Sequence, residues 1–292
     1  MSDKVIGFVG LGAMGSGMSK NILKATGSLL VSDLSRARKD ELAEAGATIV
    51  DNKQIAEKCD IIFLSLPGPK QVREVVGADL VPNGKAGQWI LDLSTVDSTT
   101  NLDMYEAAKA KGINYVDLPV SGGAHGAAAG TLSIMAGATE EELAEVMPYV
   151  RHIGKTFNFI GKRGGGSTMK LINNFMSSCH KFIAAEALVM ADHLDVDLNT
   201  FLDVISNSSG MSRALTEKIP KIKSRNIEPG FTINLVLKDM ELIMDMCREK
   251  GIPNYSASLA LQWYRMAQAR GYGLKDSSSI FRLMRELPKQ DN

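Results

Sequence analysis

The sequence predicts an α/β domain built on a parallel sheet, followed by an all-α domain. Three observations lead there. Up to about residue 160, short apolar runs rich in Val, Ile and Leu alternate with amphipathic stretches. Beyond Gly166 such runs stop and helical periodicity takes over. Between the two regimes stands a glycine cluster, "GKRGGGS" at 161–167, which reads as the hinge between the halves. Near-continuous apolar strands alternating with helices belong to parallel sheets covered on both faces. The expected division is therefore 1–163 and 164–292, and 292 residues suit two domains.

In chain order, strands are expected at "VIGFVG" (5–10), "LLVSD" (29–33), "IIFLSL" (61–66) and "WILDLS" (89–94). Three more are expected at 113–119, 130–137 and 152–161. The intervening "MGSGMSKNILKA" and "TTNLDMYEAAKAKG" have the spacing of amphipathic helices. From Thr168 to Asp195 neither proline nor glycine interrupts the helical pattern, so one long helix is predicted. Shorter helices follow near 198–206, 211–219, 233–250, 254–270 and 276–286.

Composition excludes several functions. Lysine and arginine number 33, aspartate and glutamate 33, so no net charge draws the chain to nucleic acid or to an anionic membrane. Cys59, Cys179 and Cys247 lie far apart, without a C-x-x-C pair, and the four histidines lack ligand spacing. That pattern suits a reducing compartment and predicts neither a disulfide framework nor a metal. No run of about 18 apolar residues occurs, so no membrane span is expected, and the N-terminus does not read as a signal peptide. A cytoplasmic protein is expected.

"GLGAMG", Gly10 to Gly15, has the spacing G-x-G-x-x-G directly after a predicted strand and at the mouth of a helix. Gly10 permits a tight turn, Gly12 leaves room for a pyrophosphate against the backbone, and Gly15 lets helix and strand pack closely. Phosphates then meet the free N–H groups and positive dipole end of the helix. The second strand ends at Asp33, whose carboxylate can accept from ribose hydroxyls and repel a 2′-phosphate. NAD is therefore favoured over NADP, while Arg36 nearby keeps NADP open.

Further along stands "DLPVSGGAHGAAAGTLSIMAGA" (117–138). With "IGFVGLGAMGSGM" at the start it closely resembles the β-hydroxyacid dehydrogenase family, which includes 3-hydroxyisobutyrate dehydrogenases and tartronate semialdehyde reductases. "SLPGPKQVREVV" (65–76), "DLSTVD" (92–97), "GGGSTMKLINN" (164–174), "FTINLVLKDMEL" (231–242) and "GYGLKDSSSIF" (271–281) are similar to further family signatures, in the same order. The resemblance implies a Rossmann-like domain in which Gly10, Leu11, Gly12, Ala13, Met14, Gly15 and Asp33 hold the dinucleotide, with Leu66, Pro67, Thr95 and Lys238 around it. It implies that Ser121, Gly122 and Gly123 bind the substrate carboxylate, that Lys170 donates and accepts the proton, and that Asn174 orients the substrate. It also implies homodimers or homotetramers.

The residue types fit that chemistry. Hydride transfer to an aldehyde leaves charge on oxygen, and a lysine whose amine releases its proton near the working pH can neutralise it. Lys170 and Asn174, four residues apart, project from one helical face. A hydroxyl and exposed backbone N–H groups at 121–123 suit a carboxylate, or a sulfonate. His125, beside those glycines, reads as a loop residue edging the pocket. The expected reaction interconverts a small β-hydroxy acid and its semialdehyde. Two alternatives stand beside it. An imine reductase shares the architecture but usually lacks the lysine, and a non-catalytic dinucleotide sensor has no use for one.

Overall fold

The computed structural model describes residues 4–216 and 230–286. The helix read at 211–219 lies only partly among them. By its contacts the chain forms two compact units, Met1–Leu171 and Ile172–Asn292.

The first unit opens with β1 (Ile6–Val9), α1 (Gly15–Thr26), β2 (Leu30–Ser32), α2 (Arg36–Glu44), β3 (Thr48–Ile49), α3 (Asn52–Lys58) and β4 (Ile61–Leu64). A helical stretch follows: α4 (Pro69–Val72), π-helical turns over Arg73–Leu80 and α5 (Val81–Asn83). Then come β5 (Trp89–Asp92), α6 (Ser98–Lys109) and β6 (Asn114–Asp117). These six strands make one parallel sheet in the order β3-β2-β1-β4-β5-β6. The order reverses between β1 and β4, which opens a crevice at their C-terminal ends.

Alternate residues of each strand point to opposite faces. Phe8, Val31, Ile61, Phe63 and Leu91 enter one core, whereas Val9, Ile62, Leu64, Ile90 and Tyr115 enter the other. Phe8 and Phe63 stack with ring centroids 6.0 Å apart. The sheet is thus apolar on both faces, the reason its strands read as continuous hydrophobic runs.

The run read as a strand at 113–119 holds β6 and ends at Pro119. Beyond it, β7 (Val120–Ser121) joins a second, three-stranded sheet. After α7 (Gly123–Ala129), β8 (Leu132–Ala136) pairs antiparallel with β7. After α8 (Met147–Val150), β9 (Gly154–Phe159) pairs parallel with β8. The two-residue β3 and β7 are too short to show a period, and neither was separately expected.

Helix α9 (Gly165–His193) runs from the first unit into the second, with α10 (Leu198–Ser206) after it. The second unit continues with α11 (Ile233–Lys250), α12 (Tyr255–Ala267), π-helical turns over Gln268–Tyr272, a 3-10 turn (Ser277–Ser279) and α13 (Ile280–Glu286). The regular structure of its described residues is helical, apart from one bridge between Thr232 and Asp276. Tyr264 of α12 donates its hydroxyl to the carbonyl of Ser178 on α9 at 3.0 Å. No helix of the described residues is long and apolar enough to cross a membrane.

The contact-based division falls a few residues beyond the glycine cluster. The units divide at Leu171/Ile172, inside α9, while Gly164 and Ser167 are bonded into the first unit by Asp117. A Cβ on Gly166 would collide with the carbonyl oxygen of Met135. These glycines serve close packing at the start of a helix.

Candidate functional site

The turn after β1 has the geometry that its glycines suggest. Gly10 adopts φ +92°, and a Cβ there would strike the carbonyl oxygen of Ser65 at the end of β4. Around Gly12 nothing lies within 4 Å of where a Cβ would stand, so the backbone is open to a ligand. At Gly15 the neighbour that excludes a side chain is the carbonyl of Gly10, so this glycine closes the turn as much as it packs on the strand. Met14 precedes the helix without a capping side chain, so no side chain competes for the first-turn N–H groups of α1. Leu11 is buried, and Ala13 and Met14 complete the turn. An open backbone before an uncapped helix start fits a diphosphate.

Asp33 is bound to this turn. Its Oδ2 accepts from the N–H of Leu11 at 2.6 Å and its Oδ1 from the N–H of Ser35 at 2.6 Å. Arg36 faces away and pairs with Asp40 at 2.8 Å. The arginine on the turn is Arg38, which donates to the carbonyl of Leu11 at 2.9 Å. The two peptide groups that flank Leu11 are therefore each held, one by a carboxylate and one by a guanidinium.

Across the crevice, Leu66 donates its N–H to the hydroxyl of Ser94 at 2.9 Å, which ties the "LP" turn to the end of β5; Pro67 beside it is exposed. Thr95 is half-buried. Ser121 closes β7, and Gly122 takes φ +136°, a conformation that disfavours any side chain. A Cβ on Gly123 would meet nothing within 4 Å. That turn presents bare backbone.

On α9, Lys170 is 8% exposed and Asn174 9%. Nδ2 of Asn174 donates to Oδ2 of Asp239 at 2.6 Å, and Oδ1 of Asn174 accepts from Asn173 at 3.2 Å. The ammonium of Lys238 stands 2.8 Å from Oδ1 of Asp239. Lys238 thus pairs with Asp239, and Glu241 with Arg265 at 3.5 Å. Asp239 is the functional candidate that sequence reasoning passed over. The "KD" pair was visible, but the contact to Asn174 spans 65 positions.

Asp117 was missed as well. It is 1% exposed, and it accepts from Gly164 N at 2.9 Å and Ser167 N at 3.0 Å. Burial pushes its carboxyl up to about 6; the two N–H groups pull the other way, and Asp92, its partner in the strand register, adds repulsion. Its signal was a charged residue closing a strand directly after the apolar Tyr115 and Val116. Among the described residues no cluster of three His, Cys, Asp or Glu could hold a metal.

Comparison with known proteins gives two family matches. Residues 5–161 match the NAD binding domain of 6-phosphogluconate dehydrogenase. Residues 164–284 match the domain described as NAD-binding of NADP-dependent 3-hydroxyisobutyrate dehydrogenase. The chain is 37% identical to 2-(hydroxymethyl)glutarate dehydrogenase of Eubacterium barkeri, over 97% of its own length and 95% of that protein's. It is 31% identical to the mitochondrial 3-hydroxyisobutyrate dehydrogenase of Homo sapiens, over 98% and 88%. Among solved structures, the 3-hydroxyisobutyrate dehydrogenase of Mycobacterium tuberculosis with L-serine superposes with a TM-score of 0.89 at 27% identity, covering 97% of this chain and 99% of that one.

Proposed function

The chain belongs to the β-hydroxyacid dehydrogenase family and is an NAD(P)-dependent oxidoreductase acting on CH–OH; from that footing we propose that it interconverts a small β-hydroxy acid and its semialdehyde, with Lys170 as the acid and base. The observation that carries this reading is the buried Lys170 on α9, one turn before an Asn174 that Asp239 of α11 holds. A bound nicotinamide dinucleotide supplies the hydride in reduction and accepts it in oxidation.

The chain's own residues do the rest. Gly10, Leu11, Gly12, Ala13, Met14 and Gly15 receive the diphosphate. Leu66, Pro67 and Thr95 flank the nicotinamide end. Ser121 and the backbone of Gly122 and Gly123 take the substrate's carboxylate, or a sulfonate. In reduction the Lys170 ammonium gives its proton to the carbonyl oxygen as charge develops there; in oxidation the amine takes the hydroxyl proton. Asn174, fixed through Nδ2 by Asp239, orients the substrate, and Lys238 shares that carboxylate. The relatives named for 2-(hydroxymethyl)glutarate and 3-hydroxyisobutyrate point to substrates with a hydroxymethyl group beside the carbon that bears the carboxylate.

NAD is the cofactor favoured by Asp33, whose carboxylate at the end of β2 disfavours a 2′-phosphate. A second reading, NADP, has Arg38 in its support, a cation already bonded to the Leu11 carbonyl.

We also infer a homodimer or homotetramer. Met169, Ile172, Met176, Ile183 and Met190 form a stripe along α9 and are 41–62% exposed, and α10 buries none of its residues although it carries Leu198, Phe201, Leu202 and Ile205.

The test is turnover of three- to five-carbon semialdehydes and hydroxy acids, followed by the absorbance of the reduced nicotinamide, with each cofactor and with Lys170→Ala beside the wild type. Activity that collapses in the variant supports the mechanism. Activity that survives overturns it.

A further inference from the structure

Ser167 stands one helical turn before Lys170 and is gripped from two sides within the first unit. Its N–H donates to Asp117, as described. Its hydroxyl lies 2.5 Å from Nδ2 of Asn101 on α6, which donates to it. Asn101 is held in turn, with Oδ1 2.6 Å from the hydroxyl of Tyr115, and that hydroxyl is 2.8 Å from Oδ2 of Asp92. Asp92 Oδ1 accepts from the N–H of Ser94, whose hydroxyl receives the N–H of Leu66. A continuous chain therefore runs from the "LP" turn to the start of α9. Asp92, Asn101, Tyr115, Asp117 and Ser167 are each no more than 1% exposed.

Buried polar chains are costly unless every member is satisfied. Tyr115 has one proton to place between two oxygens, so one of its neighbours supplies a second. Burial raises the Asp92 carboxyl toward the protonated form that can do so. A helix start without such partners has free N–H groups and frays.

We propose that Asn101 and Asp117 are positioning residues for the reaction: by fixing Ser167 they set the turn that carries Lys170 against the strand ends from which the "LP" turn and Ser121–Gly123 depart. The proposal rests on the reading of Lys170 as the proton donor and acceptor. It explains why Asp117, four residues before Ser121, is buried without a cationic partner among its bonded contacts: its oxygens hold the backbone of the catalytic helix. Misplacing a reacting group by about 1 Å costs on the order of 100-fold in rate.

The experiment compares Asn101→Ala, Asp117→Asn and Lys170→Ala with the wild type, well below each melting temperature. Steady-state constants, the pH profile of kcat/KM and the rate at which an amine-reactive reagent labels Lys170, read by peptide mass, are measured together. In Asn101→Ala and Asp117→Asn we expect kcat to fall about 10- to 100-fold, KM for the dinucleotide to hold within about twofold, and both the pH profile and the labelling of Lys170 to change. Wild-type kcat and labelling in these two, with Lys170→Ala inactive, overturn the positioning role and leave the reading of Lys170 standing. Losses that merely track melting temperature, with pH profile and labelling unchanged, also overturn it. Turnover that survives in Lys170→Ala overturns that reading and the proposal with it.

Discussion

Leu11 shows how two side chains can divide the hold on one turn. Asp33 takes its N–H and Arg38 its carbonyl, so an acid and a cation hold the two successive peptide groups on either side of this residue. Replacing Asp33 by Asn removes the repulsion while keeping an acceptor for Leu11. The ratio of kcat/KM with NADH to that with NADPH is expected to fall by about tenfold or more, roughly the worth of one charge-assisted contact. Arg38→Ala is expected to move the ratio the other way. An unchanged ratio in both variants would remove the turn after β2 from cofactor choice. Asp239 is a second such residue, touched by Asn174 and Lys238 together. Its replacement by Ala is expected to lower kcat about 10- to 100-fold with KM for the dinucleotide little changed; equal losses in both constants would assign it to binding.

At the scale of elements, the start of α9 is defined by what cannot be there. A Cβ on Gly137, just past β8, would fall on the carboxylate of Asp117. Gly137→Ala is therefore expected to destabilise by about 3 kcal/mol or more, since neither the buried carboxylate nor the strand can yield. Denaturant unfolding measures it, and a change within about 0.5 kcal/mol would mean that the capping contact relaxes freely. The exposed stripe of α9 leads to another expectation. Lysine at both Ile183 and Met190 puts two charges on the uncovered face, and in light scattering the particle mass should fall to that of one chain. Retention of the wild-type mass would overturn the proposal that this stripe is a subunit interface.

For the molecule as a whole, pH enters through buried carboxylates. Asp117 is pushed up to about 6 from the usual 3.8 chiefly by burial, so the folded chain holds this proton more tightly than the unfolded one. Its contribution to stability is then greatest in acid and is lost as pH rises from about 4 through about 6, on the order of 3 kcal/mol in all. Relative to Asp117→Asn, the wild type should be more stable at pH 4.5 than at pH 7.5; a gap equal at both would mean that Asp117 does not titrate there. The carboxyls of Asp60, Glu142 and Glu145 are shifted the other way, but alike in both proteins.

What could be read from the amino acids alone is what neighbours in the chain decide. The turn "GLGAMG" is one, because a diphosphate cradle needs its glycines within six positions. The long strands are others, because a sheet buried on both faces must be apolar throughout. Lys170 and Asn174 share a helical face for the same local reason. The tertiary structure decided the rest. Asp239 reaches Asn174 across 65 positions, Asn101 reaches Ser167 across 66 and Asp117 reaches Gly164 across 47. A hydrogen bond is a relation between places in space, and no local pattern of residues encodes which distant carboxylate will arrive at a helix start. The glycines at 161–167 make the same point: that Gly166 lies against the carbonyl oxygen of Met135 is visible only in the packed structure.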